Sequence, residues 1–244
     1  MSLDARQRAM LEEMGVRLFW PEAPAEAPPA IVEEPVRPRA PAPSAPAPQP
    51  VARSGVEHME WDALQQAVAA CRACKLCEGR TNTVFGVGDT QADWLLVGEA
   101  PGENEDRLGE PFVGQAGKLL DNMLGSLGLS RREQVYIANV LKCRPPNNRT
   151  PEPLEVDACR PYLERQIALI QPRLIVALGR SAATTLLNVD ASIASLRGRV
   201  HRLQGRPLIV TYHPAYLLRN LPDKAKAWED LLFARRVLRE SAGV

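Results

Sequence analysis

The sequence predicts an α/β domain with three layers, α/β/α, around a central sheet of four parallel strands. Three observations predict it. Four short runs, DWLLVGEA (93–100), QVYIANV (134–140), PRLIVALG (172–179) and RPLIVTYHP (206–214), are leucine-rich or β-branched. None shows clean polar alternation, the pattern of strands covered on both faces. Stretches of helical character separate them, which indicates helices packed on a parallel sheet. Right-handed crossovers then place every strand's carboxyl end on one edge, where open sheets bind ligands.

In chain order, LDARQRAMLEEMGVRLFW within residues 1–20 can form a short amphipathic segment, with Leu3, Met10, Met14, Leu18 and Trp20 on one face. It serves either as marginal local structure or as a docking element for a protein partner. Residues 21–58 are rich in proline and alanine. Proline fixes φ and removes donors, so this reads as an extended, disordered linker. The domain is expected over 59–244. WDALQQAVAAC (61–71) reads as a helix delivering Cys71, and further helices are expected in GQAGKLLDNMLGSLGL (114–129), LEVDACRPYLERQIALI (154–170), SAATTLLN (181–188) and DKAKAWEDLLFARRVLRE (223–240).

The chain of 244 residues carries a formal charge of +1, which does not announce a nucleic-acid binder. Residues 1–58 are net acidic, however, leaving the remainder mildly basic, and clustered positive groups can still bind phosphates. No apolar run has the length of a membrane span, and the start lacks the pattern of a signal peptide. A cytoplasmic monomer without membrane association is expected, and its five cysteines favour metal ligation or free thiols over disulfides.

Cys71 and Cys74 form a close pair, Cys143 follows the second strand, and Cys159 lies in the next helix. The fold can gather these four at one flank. A structural zinc or an iron–sulfur cluster would both accept four thiolates. Cys77 is the ambiguous fifth.

The strand ends carry Gly98-Glu99-Ala100-Pro101-Gly102, Asn139, Gly179-Arg180 and His213. A carboxylate, a carboxamide and an imidazole thus converge on one crevice. No G-x-G-x-x-G or Walker pattern follows the first strand, so a nucleotide-cofactor reading is weak. LGRS is either a plain helix start or a phosphate contact reinforced by Arg180. KCRPPNNRTPEP (142–153) reads as a rigid loop displaying Lys142, Arg144 and Arg149 to a polyanion, and HPAYLLRN (213–220) as a second loop. Its Tyr216 and Leu217, with Leu218 and Arg219 beside them, would meet DNA, the apolar side chains wedging between bases.

GEAPGENED…GEPFVGQAGKLLD, NVLKCRPPNNRTP and TYHPAYLLRN together resemble the family 4 uracil-DNA glycosylases, the iron–sulfur branch of that superfamily. The resemblance spans roughly residues 68–238. It implies hydrolysis of the N-glycosidic bond of uracil in single- and double-stranded DNA, leaving an abasic site. It also implies a [4Fe-4S] cluster on Cys71, Cys74, Cys143 and Cys159, with Cys77 a neighbour. Phe112 would stack on the extruded base, Asn139 would read its O4 and N3–H edge, and His213 would donate to O2. Glu99 is the first candidate to position water, since Ala100 stands where family 1 enzymes carry an aspartate. The backbone over Ala100–Gly102 is the other. Glu105 would lie by the C5 side of the base. No KRRIH loop is present, so turnover is expected rather than covalent capture. GEAPG in place of GLAPA argues against family 5. The rival reading is an iron–sulfur nucleic-acid-binding scaffold without catalysis, associated with replication or repair.

Overall fold

The computed structural model describes residues 55–241. The expected segment 1–20 and the linker up to residue 54 lie outside the described residues. A single 3-10 turn, Val56–His58, opens the described chain, and Val56 is buried beside Leu64, Val68 and Tyr162. Packed structure therefore starts a few residues before the boundary expected at 58.

The sheet has six strands: β1 Val87–Gly88, β2 Trp94–Gly98, β3 Val135–Asn139, β4 Leu174–Leu178, β5 His201–Leu203 and β6 Arg206–Thr211. Their order is β1-β3-β2-β4-β6-β5. The four expected strands β3, β2, β4 and β6 are central and mutually parallel. Sequence reading missed the antiparallel edges β1 and β5, which are two and three residues long and only partly buried. The β5–β6 hairpin turns through Gln204 and Gly205 at φ 49° and 80°, the left-handed pair that a two-residue hairpin favours.

Helices cover both faces, which explains the missing polar alternation. On one face Leu95, Val97, Tyr136, Ala138, Ile175, Ala177, Leu208 and Val210 meet Leu163, Ile167 and Ile170 of the helix Pro153–Ile170. On the other, Trp94, Leu96, Val135, Ile137, Leu174, Val176 and Ile209 meet Leu120 and Leu124 of Gln115–Ser126, and Ala234 and Val237 of Asp223–Glu240. Numbered along the chain, the helices are α1 Trp61–Ala69, α2 Leu76–Gly79, α3 Glu103–Leu108, α4 Gln115–Ser126, α5 Pro153–Ile170, α6 Arg180–Leu187, α7 Ile193–Leu196, α8 Pro214–Leu217 and α9 Asp223–Glu240. No helix among the described residues is long and apolar enough to cross a membrane.

Candidate active site and cysteine centre

Parallel pairing sets Gly98 directly opposite Asn139 at the carboxyl ends of β2 and β3. The ladder continues one step beyond, with the Val140 N–H donating to Gly98 O at 2.9 Å and the Leu141 N–H to Glu99 O at 3.1 Å. Gly98 is the floor on which two side chains meet. A Cβ there would collide with Asn139 Oδ1 and come within 2.9 and 3.0 Å of Phe112 Cζ and Cε2. Asn139 is buried, and no hydrogen bond among the described residues engages its carboxamide. Its donor and acceptor are free for a ligand's edge. Glu99 is half-buried, with its carboxylate likewise unengaged among the described residues. Ala100 packs against the core, and Gly102 caps α3.

Phe112 is a buried aromatic at φ 54°, a left-handed conformation that non-glycine residues rarely adopt. Its ring stacks on His213, with centroids 5.5 Å apart and planes 30° apart. Glu105 Oε1 accepts from the Val113 and Gly114 N–H groups at 3.0 and 3.3 Å, so its carboxylate organises the loop that carries Phe112.

His213 caps the short helix α8, and its Nδ1 accepts the Ala215 N–H at 3.1 Å. That bond requires an unprotonated Nδ1, so the neutral ring carries its proton on Nε2. Burial, reinforced by the charge of Arg219, pushes the His213 pKa down to about 4, with Glu105 opposing weakly. The imidazole is therefore a neutral donor at physiological pH. Gly179, at φ 95°, lies against His213 so closely that a Cβ there would stand 2.9 Å from His213 Cβ, an approach that a side chain would block.

The loops depart from expectation in three places. Leu217 is 1% exposed and packs with Tyr212 and Ala227, whereas Leu218 is 42% exposed. The short helix α8 turns Leu217 inward, so in this structure Leu217 is a core residue and not the exposed wedge expected. Lys142 is 1% exposed rather than displayed. Its Nζ donates to Asn139 O at 2.9 Å, Phe85 O at 3.3 Å and Gln166 Oε1 at 2.6 Å, and burial pushes its pKa down to about 7. Arg149 forms a bidentate pair with Glu155 at 2.6 and 2.9 Å, which holds the Glu155 carboxyl below its usual range and fixes the start of α5. Its charge serves the helix start.

The other expected cationic groups are at the surface. Arg144 bonds Asn148 at 2.8 Å and Glu103 at 3.4 Å, Arg180 at the start of α6 pairs with Asp190 at 2.9 Å, and Arg219 is exposed. Tyr216 donates to Asp223 at 2.7 Å and stacks on Tyr212, over which Arg197 lies. Sequence reading missed Arg197, as it missed its ion pair with the buried Asp230 at 2.6 Å.

The cysteines gather at the flank where α1, β3 and α5 meet. Cys143 and Cys159 are buried, and Cys71, Cys74 and Cys77 are partly so. Burial pushes the Cys74 and Cys143 thiols up, and Cys159 up to about 12. Cys71 adds to the rise at Cys74 and Cys143, and Cys74 and Cys143 to that at Cys159, so Cys74 and Cys143 lie within electrostatic reach of both Cys71 and Cys159. Cys77 acts on Cys74. Arg80, also missed from sequence, donates to Cys143 Sγ at 3.2 Å. Among the described residues no group of three or more His, Cys, Asp or Glu is arranged to hold a single metal ion.

The profile of the Uracil DNA glycosylase superfamily matches residues 85–232, from the chain before β1 into α9, and so takes in Glu99, Phe112, Asn139 and His213. The chain belongs to the uracil-DNA glycosylase superfamily. A Type-4 uracil-DNA glycosylase of Archaeoglobus fulgidus is 50% identical over 165 residues, covering 64% of this chain and 82% of that protein. One from Sulfurisphaera tokodaii is 47% identical over 175 residues, covering 68% and 79%. A Type-5 uracil-DNA glycosylase of Thermus thermophilus is more distant, at 32% over 191 residues, covering 64% and 87%. Within the superfamily, the chain is thus more similar to these Type-4 members than to that Type-5 member.

Proposed function

We propose that this chain is a uracil-DNA glycosylase acting in base excision repair. It hydrolyses the bond between uracil N1 and the deoxyribose C1′, releasing uracil and leaving an abasic site. The observation that carries this reading is the meeting of Phe112 and Asn139 over Gly98, with the neutral His213 against the Phe112 ring.

A base swung out of the stack would lie against Phe112. The Asn139 carboxamide would accept from uracil N3–H and donate to O4. Cytosine presents the opposite polarity at both positions and would leave buried polar groups unpaired. As the glycosidic bond breaks, its electron pair moves onto the uracil ring. The Nε2–H of His213 stabilises the charge accumulating at O2 without transferring a proton, and the nearby Arg219 charge adds to it. Water adds its oxygen to C1′, and the proton it loses passes through solvent to the departing uracil anion. Glu99, whose carboxylate is unengaged among the described residues, is the group we assign to hold it, with the Ala100–Gly102 backbone beside it. Glu105 shapes the pocket wall through the Phe112 loop.

Cys71, Cys74, Cys143 and Cys159 would hold a [4Fe-4S] cluster. Four cysteines at one flank, with Arg80 donating to Cys143 Sγ, fit a centre that takes one thiolate per iron. When bound, the cluster would supply structural bracing and a positive core that offsets the charge of the four thiolates. Arg144, Arg180 and Arg219 are the proposed phosphate contacts, and the exposed Leu218 takes the wedge role expected of Leu217.

The test is incubation of purified protein with single-stranded and duplex oligonucleotides containing U, T, C or hypoxanthine, followed by alkaline cleavage. Strand breaks at U alone, or at U and hypoxanthine, support the reading. Their absence at U in protein that binds DNA favours a non-catalytic scaffold.

A further inference from the structure

We infer that Arg131, braced by Asp121, is a positioning residue that holds the Phe112 ring in the base pocket through the main chain. The inference rests on the proposed role of Phe112 as the stacking platform.

Phe112 at φ 54° occupies a conformation that its own sterics disfavour, and such residues persist only where the surroundings over-determine them. Three sets of contacts do so. The Arg131 guanidinium spans two consecutive carbonyls, Nη1 donating to Pro111 O at 3.3 Å and Nη2 to Phe112 O at 2.9 Å. Its Nε donates to Asp121 Oδ1 at 2.7 Å, which orients the planar fork from the middle of α4. On the downstream side, Glu105 takes the Val113 and Gly114 N–H groups. On the third side Gly117 lies against the Phe112 carbonyl so closely that any Cβ would collide with it.

Arg131 is 18% exposed at its side chain and lies nineteen positions after Phe112, beyond the end of α4. Neither its type nor its spacing advertises a link to the site. A planar donor fork matches two adjacent carbonyls, whereas the point charge of lysine satisfies one well. Loss of the fork leaves the Pro111 and Phe112 carbonyls without this partner, and the backbone can relax toward ordinary φ. The ring then leaves its place over Gly98 and against His213. Arg131 touches no part of the base, so its effect must pass through Phe112.

The experiment is a double-mutant cycle on wild type, R131A, F112A and the double variant, read by single-turnover uracil release and by affinity for a uracil-free oligonucleotide. R131A should slow release by about ten- to a hundredfold, the scale of a misplaced contact, while affinity for uracil-free DNA holds. R131K should recover part of the rate. In the F112A background, R131A should add little. A wild-type rate for R131A, or the same loss in both backgrounds, overturns the inference. If R131A lacks a cooperative melt, R131K and D121N carry the same cycle. Wild-type protein that releases no uracil defeats the proposed activity instead. A crystal structure of the Arg131 variant then decides the inference alone, since Phe112 retained at positive φ would sink it.

Discussion

Replacing Gly98 with alanine isolates the geometry on which base reading rests. Gly98 ends β2 in strand geometry, so alanine meets no backbone penalty there. The added methyl would overlap Asn139 Oδ1 and stand 2.9 Å from Phe112 Cζ. Ordinary carbon–carbon contact lies at about 3.5–4.0 Å, so the ring must retreat by about 0.6–1.1 Å while the carboxamide moves the other way. Displacements near 1 Å in a positioned site slow reaction by about a hundredfold, equivalent to about 2.7 kcal/mol of barrier. Overpacking of a buried strand end should also lower stability by about 1–3 kcal/mol. Single-turnover uracil release and a urea melt measure the two effects separately. G125A is the control, because Gly125 lies on α4 with open space where its Cβ would stand. It should keep full activity and gain slightly in stability from helix propensity. A folded G98A protein that releases uracil at the wild-type rate would refute the convergence of Phe112 and Asn139 as the reading device.

Other outcomes follow from the same geometry. L217A should lose about 2–5 kcal/mol of stability as a buried leucine truncation, whereas L218A should melt like wild type and lose activity on duplex more than on single strands; equal losses on both substrates would remove Leu218 from base extrusion. The His213 pKa, held below its ordinary value at about 4, places the acid limb of uracil release near pH 4. Because the unfolded chain binds this proton more tightly, the same group makes stability rise with pH from about 4 to 6.5 and adds nothing above. An acid limb near 6.5 that disappears in H213A would contradict this. C159S should abolish absorption near 400 nm in purified protein and C77S should preserve it, so a colourless C77S protein would move Cys77 into the ligand set. K142M should destabilise by about 1–3 kcal/mol for each acceptor left unpaired, and an unchanged melt would show that the buried network is dispensable.

The parallel core was legible because burial on both faces writes itself into composition. β2, β3, β4 and β6 each carry an apolar run that no helix period explains. The edges β1 and β5 were not legible, since so few half-buried residues leave no pattern to read. In the site, Asn139 and His213 were found at strand ends and Phe112 through motif resemblance, and the fold brings them together. Orientation was hidden. Leu217 and Leu218 are adjacent and chemically identical, and only the turn of α8 decides which faces the core. Lys142 and Arg144 flank Cys143 in one basic run, yet the first turns inward to three acceptors and the second stays at the surface.

The inward turns of Lys142 and Arg131 share a cause, which is main-chain demand. Asn139 O, Phe85 O, Pro111 O and Phe112 O all lie where the backbone leaves regular structure, so ladders do not satisfy them. A buried carbonyl without a partner is costly, and long cationic side chains reach such groups from a distance. Lys142 and Arg131 are therefore drawn inward by groups remote in sequence, and no local pattern can announce them. The consequence for function is specific. The two side chains that meet over Gly98 are each anchored from behind, Asn139 by the Lys142 ammonium and Phe112 by the Arg131 guanidinium. Lys142 lies next to Cys143, so the contact that fixes the Asn139 main chain also ends at the cysteine flank. Under the proposed function, bracing of that flank would thus reach the Asn139 carboxamide through one buried residue.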